Sequence, residues 1–343
     1  MNLSSLRFAA AASLALVAAC LAISPAHAVT IDWVTVGDAG NTADTTGSPN
    51  PAGAVADAFQ IMKFEFTNQQ YTDFLNSVAA TDTYSLYNTS MDSDARGGIT
   101  RSGESGSYLY SLKPNMGDKP VNYVSWFDAA RVANWLMNGA TGTSSTETGA
   151  YTLVGGQTSG TAPARNSGAT FYIPTEDQWY KAAYYKGGST NAGYWNYATQ
   201  SDTAPTAVTS GSTGSGSAGS TGDFANFNGA AVWNGEVNVT TVGTNGGASY
   251  YGAFDMSGNV FEWNDLTGAA GSSRGRRGGA WFGNAADLSS SIRDNTNAPS
   301  DENDGHGFRL ASPVAVPEPS TWLMGAVGIA CAGWQGYRRR RAR

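Results

Sequence analysis

The two cysteines of this chain lie in apolar segments at its two ends, and this placement limits what the middle of the chain can fold into. Cys20 belongs to the N-terminal segment and Cys331 to the C-terminal one, so residues 29–313 contain no cysteine. Disulfides, thiolate metal sites and cysteine nucleophiles are therefore excluded from that region. Its length is compatible with one large domain held together by packing alone, since no clean linker divides it.

The N-terminal segment, residues 1–28, is typical of a secretory signal peptide. It carries Arg7, a long apolar run and then Pro25, followed by Ala-His-Ala at positions 26–28. A basic start, an apolar centre and small residues at the cleavage point are the three parts of such a signal. We therefore expect cleavage after Ala28 and export of the middle of the chain.

The C-terminal segment, residues 314–343, combines Pro-Glu-Pro at 317–319, an apolar stretch from Trp322 to about Tyr337, and the arginines Arg338 to Arg341. The apolar stretch predicts a transmembrane helix whose basic end is cytoplasmic. The order of the three parts resembles a PEP-CTERM sorting signal, which implies recognition and processing by an exosortase. An ordinary membrane anchor is the alternative. Both interpretations predict a protein at the cell surface or outside the cell, held to the membrane at least transiently.

The charge of the middle region argues against nucleic acid as a partner. Of the 20 basic and 27 acidic side chains, six basic and one acidic lie in the end segments, which leaves residues 29–313 with 14 and 26 and a net charge of −12. Domains that bind nucleic acid present a basic patch, which this composition does not favour. An acidic, glycine-rich exported region is compatible with calcium binding instead.

Three segments carry the capping box, in which a Ser or Thr is followed three residues later by a side chain that can bond back to it. We predict a helix directly after the first residue of each pair. The second helix is the clearest, because apolar residues recur at helical spacing between 129 and 137. The pairs are Thr67 and Gln70, Ser125 and Asp128, and Thr175 and Gln178.

The rest of the region predicts short strands and long loops. Strand-like runs occupy residues 58–66, 169–174, 277–282 and 306–312, and the segments between them are rich in Gly, Ser, Thr and Asn. Few helices, short strands and long loops are typical of an α+β domain in which the loops carry the specific chemistry.

The stretch AFDMSGNVFEW, residues 253–263, places Asp255 and Glu262 on either side of a Ser-Gly-Asn turn. Calcium is one explanation, because this cation takes its ligands from carboxylates and backbone carbonyls. The other is structural: Asp255 caps the turn, and Glu262 pairs with an arginine elsewhere in the fold. The local spacing leaves both open.

Six blocks, read in order, resemble the formylglycine-generating enzyme, or sulfatase-modifying factor, family. The resemblance covers most of residues 58–311 and implies that family's variant of the C-type lectin fold, with bound calcium. The blocks are FEFTNQQYTDFLN at 64–76, KPVNYVSWFDAARVANWL at 119–136, YIPTEDQWYKAA at 172–183, GAFDMSGNVFEW at 252–263, RRGGAWF at 276–282 and GFRLA at 307–311.

The resemblance also implies which residues would hold calcium. In one site, Asp255 and Glu262 would give side-chain oxygens, while Gly258 and Val260 would give backbone carbonyls. A further site would fall at Asn226 and Phe227.

The resemblance does not carry over the reaction of the family. Members that oxidise a substrate cysteine use a pair of cysteines that hold copper and the substrate thiol, and residues 29–313 have no cysteine. Related sulfoxide synthases use a set of histidines for non-haem iron, whereas His306 is the only histidine in this region. We therefore expect neither copper nor iron.

Two arginines and three tryptophans are candidates for a ligand groove. Arg277, together with Arg276 and the RGGAW block that ends at Trp281, could form an anion site, although such arginines are often satisfied internally. Arg293 could face the same groove. Trp195 and Trp233, which lie among loops, could contact a sugar ring, although most tryptophans of a domain with short elements belong to its core. A separate prediction concerns Arg309, which we expect to pair with a buried acid such as Glu65 or Glu176.

Together these patterns predict a cell-surface binding or structural module that calcium stabilises and that contacts extracellular polysaccharide or another protein. A loop at residues 284–304, rich in Asn, Asp and Ser, is the expected contact region. The alternative is an enzyme, either a formylglycine-generating-type oxidoreductase that needs no cysteine or another activity in the same groove.

Overall fold

The computed structural model describes residues 29–314, which fold into short helices and strands connected by long loops. The expected signal peptide and the expected transmembrane segment lie outside the described residues. Within the described part, no helix is long and apolar enough to cross a membrane. Its helices are α1 Asn68–Val78, α2 Ser90–Ser93, α3 Trp126–Met137, α4 Glu176–Tyr184 and a 3₁₀ helix at Ala285–Leu288.

The strands are short, and most belong to two sheets. They are β1 Trp33–Val36, β2 Phe59–Met62, β3 Ile99–Ser102, β4 Leu109–Leu112, β5 Thr206–Ala207, β6 Phe224–Ala225, β7 Val232–Trp233, β8 Glu236–Val237, β9 Phe261–Asn264, β10 Arg274–Arg277, β11 Asp294–Asn297, β12 His306–Gly307 and β13 Ala311–Pro313.

The sequence predicted the starts of the three long helices correctly. In α1, α3 and α4 the Ser or Thr before the helix accepts from the backbone N–H three residues later, and the side chain at that position accepts from the backbone N–H of the Ser or Thr. Each box therefore satisfies two backbone groups that the first turn leaves without partners.

One sheet joins the two ends of the described domain. Its order is β1-β2-β13, and both outer strands run antiparallel to β2. The other sheet has the order β11-β10-β9-β12, in which β12 runs parallel to β9 and sets Gly307 opposite Glu262.

The core lies between the first sheet and the long helices. The main cluster of buried side chains includes members of β1, β2, α1, α3 and α4. Helix α3 is the most deeply placed, because every residue from Trp126 to Leu136 is buried. A smaller cluster forms around Trp233 and Trp281.

All four predicted strands were wrong in extent. Of 58–66 only Phe59–Met62 is a strand, and 306–312 is divided between His306–Gly307 and Ala311–Pro313. Residues 169–174 form no strand, since their ladder contact is a single bridge from Tyr172 to Ala311, and Pro174 then removes a backbone donor. In the RGGAWF stretch, β10 ends at Arg277, because Gly278 and Gly279 adopt left-handed backbone angles of +95° and +77°.

Candidate functional site

The turn before β9 places Asp255 in a ring of hydrogen-bond donors. Its backbone is left-handed at φ +56°, and both of its carboxylate oxygens are used. One accepts from the side-chain amide of Asn245 at 2.9 Å, and the other accepts from the backbone N–H of Gly243. Asp255 therefore fixes the neighbouring 243–245 loop, as a turn-capping acid does.

Glu262 and Arg309 form an ion pair that is fully buried on both sides. Arg309 donates from Nε and Nη2 to the two oxygens of Glu262, each at 2.6 Å. The indole of Trp179 donates to the same carboxylate at 2.8 Å. Arg309 thus pairs with a buried acid, as predicted, but the acid is neither Glu65 nor Glu176, because the parallel pairing of β12 with β9 brings the chain past Glu262 instead.

Glu65 adds a third carboxyl group to this region. It is fully buried and accepts from the side chain of Asn259 at 2.7 Å and from the backbone N–H of Val260 at 3.2 Å. Burial raises the pKa of Glu65 well above its usual range, and the charges of Asp255 and Glu262 raise it further. The pocket beside Glu65, about 220 Å³ in volume, leads towards Thr30 and Gln70.

Asn226 lies against the same turn, so the structure brings the two predicted calcium segments together. Its Nδ2 group donates to the backbone of Asn238, to Thr240 and to the side chain of Asn259, each at 3.1 Å. Its Oδ1 atom is buried and has no hydrogen-bond partner among the described residues. Phe227 is buried beside Leu288.

Asn259 is a site residue that the sequence reasoning missed. Its side chain accepts from Asn226 and from the backbone of Thr240 and donates to Glu65, so it connects the two segments. The left-handed backbone of Asn259, φ +64°, and its place in a Gly-Asn turn were the available signals.

The chemistry of this cluster fits calcium in part. Its carboxylate and amide side chains carry oxygen atoms, which this cation requires, and the unpartnered Oδ1 of Asn226 fits a ligand. Glu262 fits less well than Asp255, since both of its oxygens accept from the cation Arg309, whereas those of Asp255 accept from the neutral donors Asn245 and Gly243. Among residues 29–314, no group of three acidic, histidine or cysteine side chains converges as a metal site.

The two arginines of the predicted groove meet at one buried acid. Arg277 donates to Glu176 at 2.8 Å, and Arg293 donates to it at 2.6 Å. Arg277 also lies with its guanidinium 5.0 Å from the ring of Tyr180. Both arginines are thus held by the first turn of α4, which is the internal role that the sequence left open.

The three tryptophans of the predicted groove lie at different places. Trp281 and Trp233 share the smaller buried cluster, and each has a cation near its ring, at 4.6 Å for Arg96 and 4.8 Å for Lys119. Trp195 is half-buried beneath Lys186, whose Nζ is 4.1 Å from its ring. The candidate residues therefore do not line one common groove.

His306, the one histidine of the described residues, is held in place by its neighbours. It is buried against Arg276, which also contacts Asp294 and Asn297. Burial lowers the pKa of His306 to about 3, and the positive charge of Arg276 adds to this effect. The imidazole is therefore neutral at neutral pH and faces a cation rather than an acid that could orient it as a base.

Comparison with known proteins gives one family match and several structural likenesses. Residues 26–314 match the sulfatase-modifying factor enzyme 1-like domain, described as FGE-sulfatase. The curated proteins contain no match.

Among solved structures, that of CarF is 21% identical, with 83% of this chain and 99% of that chain covered and a TM-score of 0.49. Treponema denticola variable protein 1 is 19% identical, with 84% and 97% covered and a TM-score of 0.46. PvdO from Pseudomonas aeruginosa is 19% identical, with 83% and 93% covered and a TM-score of 0.41.

Proposed function

Since this chain belongs to the family of sulfatase-modifying factor enzyme 1-like domains, we propose that it uses the domain as a binding or structural module at the cell surface. The observation that carries the proposal is the absence of cysteine from residues 29–313. A cysteine pair is what the resemblance implies for oxidation of a substrate thiol, so this chain keeps the family's domain without the side chains of that reaction.

The contacts of the other reactive side chains support a non-catalytic role. Glu262, Glu176 and Asp265 each serve as the partner of a buried arginine. His306 is neutral and faces Arg276. Groups used in this way stabilise a scaffold, whereas catalysis needs at least one of them within reach of a bound substrate.

Calcium is part of the proposal as a stabilising ion. The charge of Arg309 acts on Glu65, Asp255 and Glu262, although it pairs with Glu262 alone, so an added cation would relieve the repulsion among the three carboxyl groups. The free Oδ1 of Asn226 and the carboxylate of Asp255 are the residues that would hold it. An ion bound there would tie the 243–245 loop to the turn before β9, and no chemical step is assigned to it.

Export and attachment complete the proposal. The signal peptide at 1–28 would deliver the domain outside the cytoplasmic membrane, and the segment at 314–343 would hold it there until an exosortase-type enzyme processes it. Its partner would be extracellular polysaccharide or a surface protein, because a domain in this position with an acidic surface meets those molecules first.

The test is retention of the purified full-length chain on the producing cell's own exopolysaccharide and surface proteins, first with calcium and then with chelator. Saturable retention that chelator weakens is the expected result. A folded chain that is not retained by either, and that carries a redox metal on elemental analysis, would overturn the proposal in favour of an enzyme.

A matched pair of variants tests the calcium site separately. Calcium at about one hundred times its dissociation constant should stabilise the native chain by about 2.7 kcal/mol, measured as a rise in melting temperature. Asp255→Asn should remove that rise. Asp118→Asn, which changes an exposed acid outside the cluster, should keep it.

A further inference from the structure

Arg165 differs from every other arginine of the described part of the chain. Residues 29–314 contain nine arginines, and eight of them lie within 4.0 Å of a carboxylate oxygen. Arg165 has no such partner among the described residues, and its Nη1 atom is buried without a hydrogen bond. The charge of Arg165 acts on the buried Asp265, but among the described residues no hydrogen bond or ion pair joins the two, which leaves Nη1 without an acceptor that an anion could supply.

The guanidinium of Arg165 is held in place by an aromatic ring rather than by an acid. It lies 4.1 Å from the ring centre of Tyr172, and the backbone N–H of Arg165 donates to Gly268 at 3.0 Å. Stacking on a ring orients the planar guanidinium while leaving its edge available.

Arg165, Tyr172 and Gln178 are among the residues that line a cavity of about 270 Å³ beside the ends of β2 and β13. Gln178 donates to the hydroxyl of Tyr172 at 3.2 Å, which leaves the hydrogen of that hydroxyl for another acceptor. Asp57, an exposed carboxylate, stands at the rim. The volume is near the lower end of ligand pockets, which run from about 300 to 1,000 Å³, so it suits one small ring rather than a chain.

We propose that this cavity binds a single carboxylate-bearing sugar unit, a uronate, of an acidic polysaccharide. The inference rests on the proposed function and names the class of ligand. The fork of Arg165 would pair with the sugar carboxylate, and the hydroxyl of Tyr172 would donate to it. Asp57 would accept from sugar hydroxyls and would disfavour anions of higher charge, such as phosphate.

The first experiment is calorimetry of the purified full-length chain with a methyl glucuronide, the corresponding neutral methyl glucoside, and acetate. We expect the glucuronide to bind and the other two ligands to bind at least roughly tenfold more weakly. The glucoside lacks the carboxylate, and acetate lacks the sugar ring. Equal binding of the neutral glucoside would overturn the role of the carboxylate. Equal binding of acetate would overturn the role of the sugar.

Variants then assign the binding to Arg165. Arg165→Gln should weaken glucuronide binding by roughly tenfold or more, because a charged hydrogen-bond donor is lost. Arg101→Gln is the matched control, since Arg101 also stacks on a tyrosine, Tyr108 at 4.3 Å, but is paired with Asp82. Unchanged binding in Arg165→Gln, or an equal loss in Arg101→Gln, would refute the assignment.

Two further variants keep the test sound if Arg165→Gln folds poorly. Tyr172→Phe retains the ring and should weaken binding several-fold, whereas Asp57→Asn should leave the glucuronide bound and lower selectivity against phosphate.

Retention on acidic polysaccharide separates the pocket proposal from the proposed binding module. If Arg165→Gln is retained like the wild type, the pocket assignment fails and the binding module stands. If the wild type binds glucuronide but no polysaccharide, the pocket assignment stands and the binding module fails.

Discussion

Removal of either partner of the Glu262 and Arg309 pair should destabilise the chain, and by unequal amounts. Loss of one partner from a buried ion pair costs about 3–5 kcal/mol. Glu262→Gln leaves Arg309 buried, but Glu65 and Asp255 still lie close enough to offset its charge. Arg309→Met leaves three carboxyl groups without a cation and also removes the bonds to the carbonyls of Met62 and Phe254. We therefore expect about 3 kcal/mol for Glu262→Gln and about 5 kcal/mol for Arg309→Met.

The assay is urea unfolding at pH 7, monitored by far-UV circular dichroism. The dependence of the unfolding free energy on urea concentration, the m-value, is compared among the variants. The double variant should be destabilised by less than the sum of the two single changes, since each removes the same contact. Added calcium should recover part of the loss in Arg309→Met, because the carboxyl groups then lack their cation. Equal losses in the two single variants, or losses below about 1 kcal/mol, would refute the reasoning.

Two other predictions follow from local geometry. The pKa of His306 is about 3 in the folded chain against 6.5 in the unfolded one, so the stabilisation from keeping it neutral is complete above pH 6.5 and is lost as the pH falls towards 3. When the pH is lowered from 7 to 4.5, the free energy of unfolding of His306→Gln should fall by roughly 2–3 kcal/mol less than that of the wild type. The same dependence of unfolding free energy on pH in both proteins would contradict this. Gly258→Ala should cost more than about 3 kcal/mol, because an added Cβ would lie 2.2 Å from the carbonyl oxygen of Asn226 at a left-handed φ of +82°. Gly168→Ala, at φ +78° with nothing within 4 Å, should cost only about 1 kcal/mol in the same melting experiment, and similar losses would show that the contact is unimportant.

Local chemistry made parts of this fold predictable. The starts of α1, α3 and α4 could be placed from the sequence because a capping box satisfies its hydrogen bonds within four residues. The strands could not be bounded equally well, since their ends depend on partners far along the chain. Tyr172, for example, forms a bridge with Ala311, which is far along the chain, and nothing near Tyr172 in the sequence indicates this.

The residues of the candidate site could be predicted from the sequence, but the contacts among them could not. The turn at 255–262 was visible as a cluster of acids and carbonyls, and the sequence left open that Glu262 pairs with an arginine. Which arginine it is depends on the parallel register of β12 with β9, a long-range property. The sequence does not distinguish Arg165 from the other arginines. Its distinguishing feature, the lack of a carboxylate within 4.0 Å among the described residues, depends on the fold and not on neighbouring residues.

The central strand of the first sheet has a consequence for the order in which the domain is built. β2 takes one neighbour from the start of the domain and the other from its last residues, with Ile61 opposite both Val34 and Ala311. Pairing over such a separation is slow, because the entropy of closing a long loop is lost before any stabilising contact forms. Until residue 311 has left the ribosome, one side of β2 keeps its backbone groups open to pairing with other chains. A chain truncated just before β13 should therefore aggregate during synthesis, although it contains both predicted calcium segments intact.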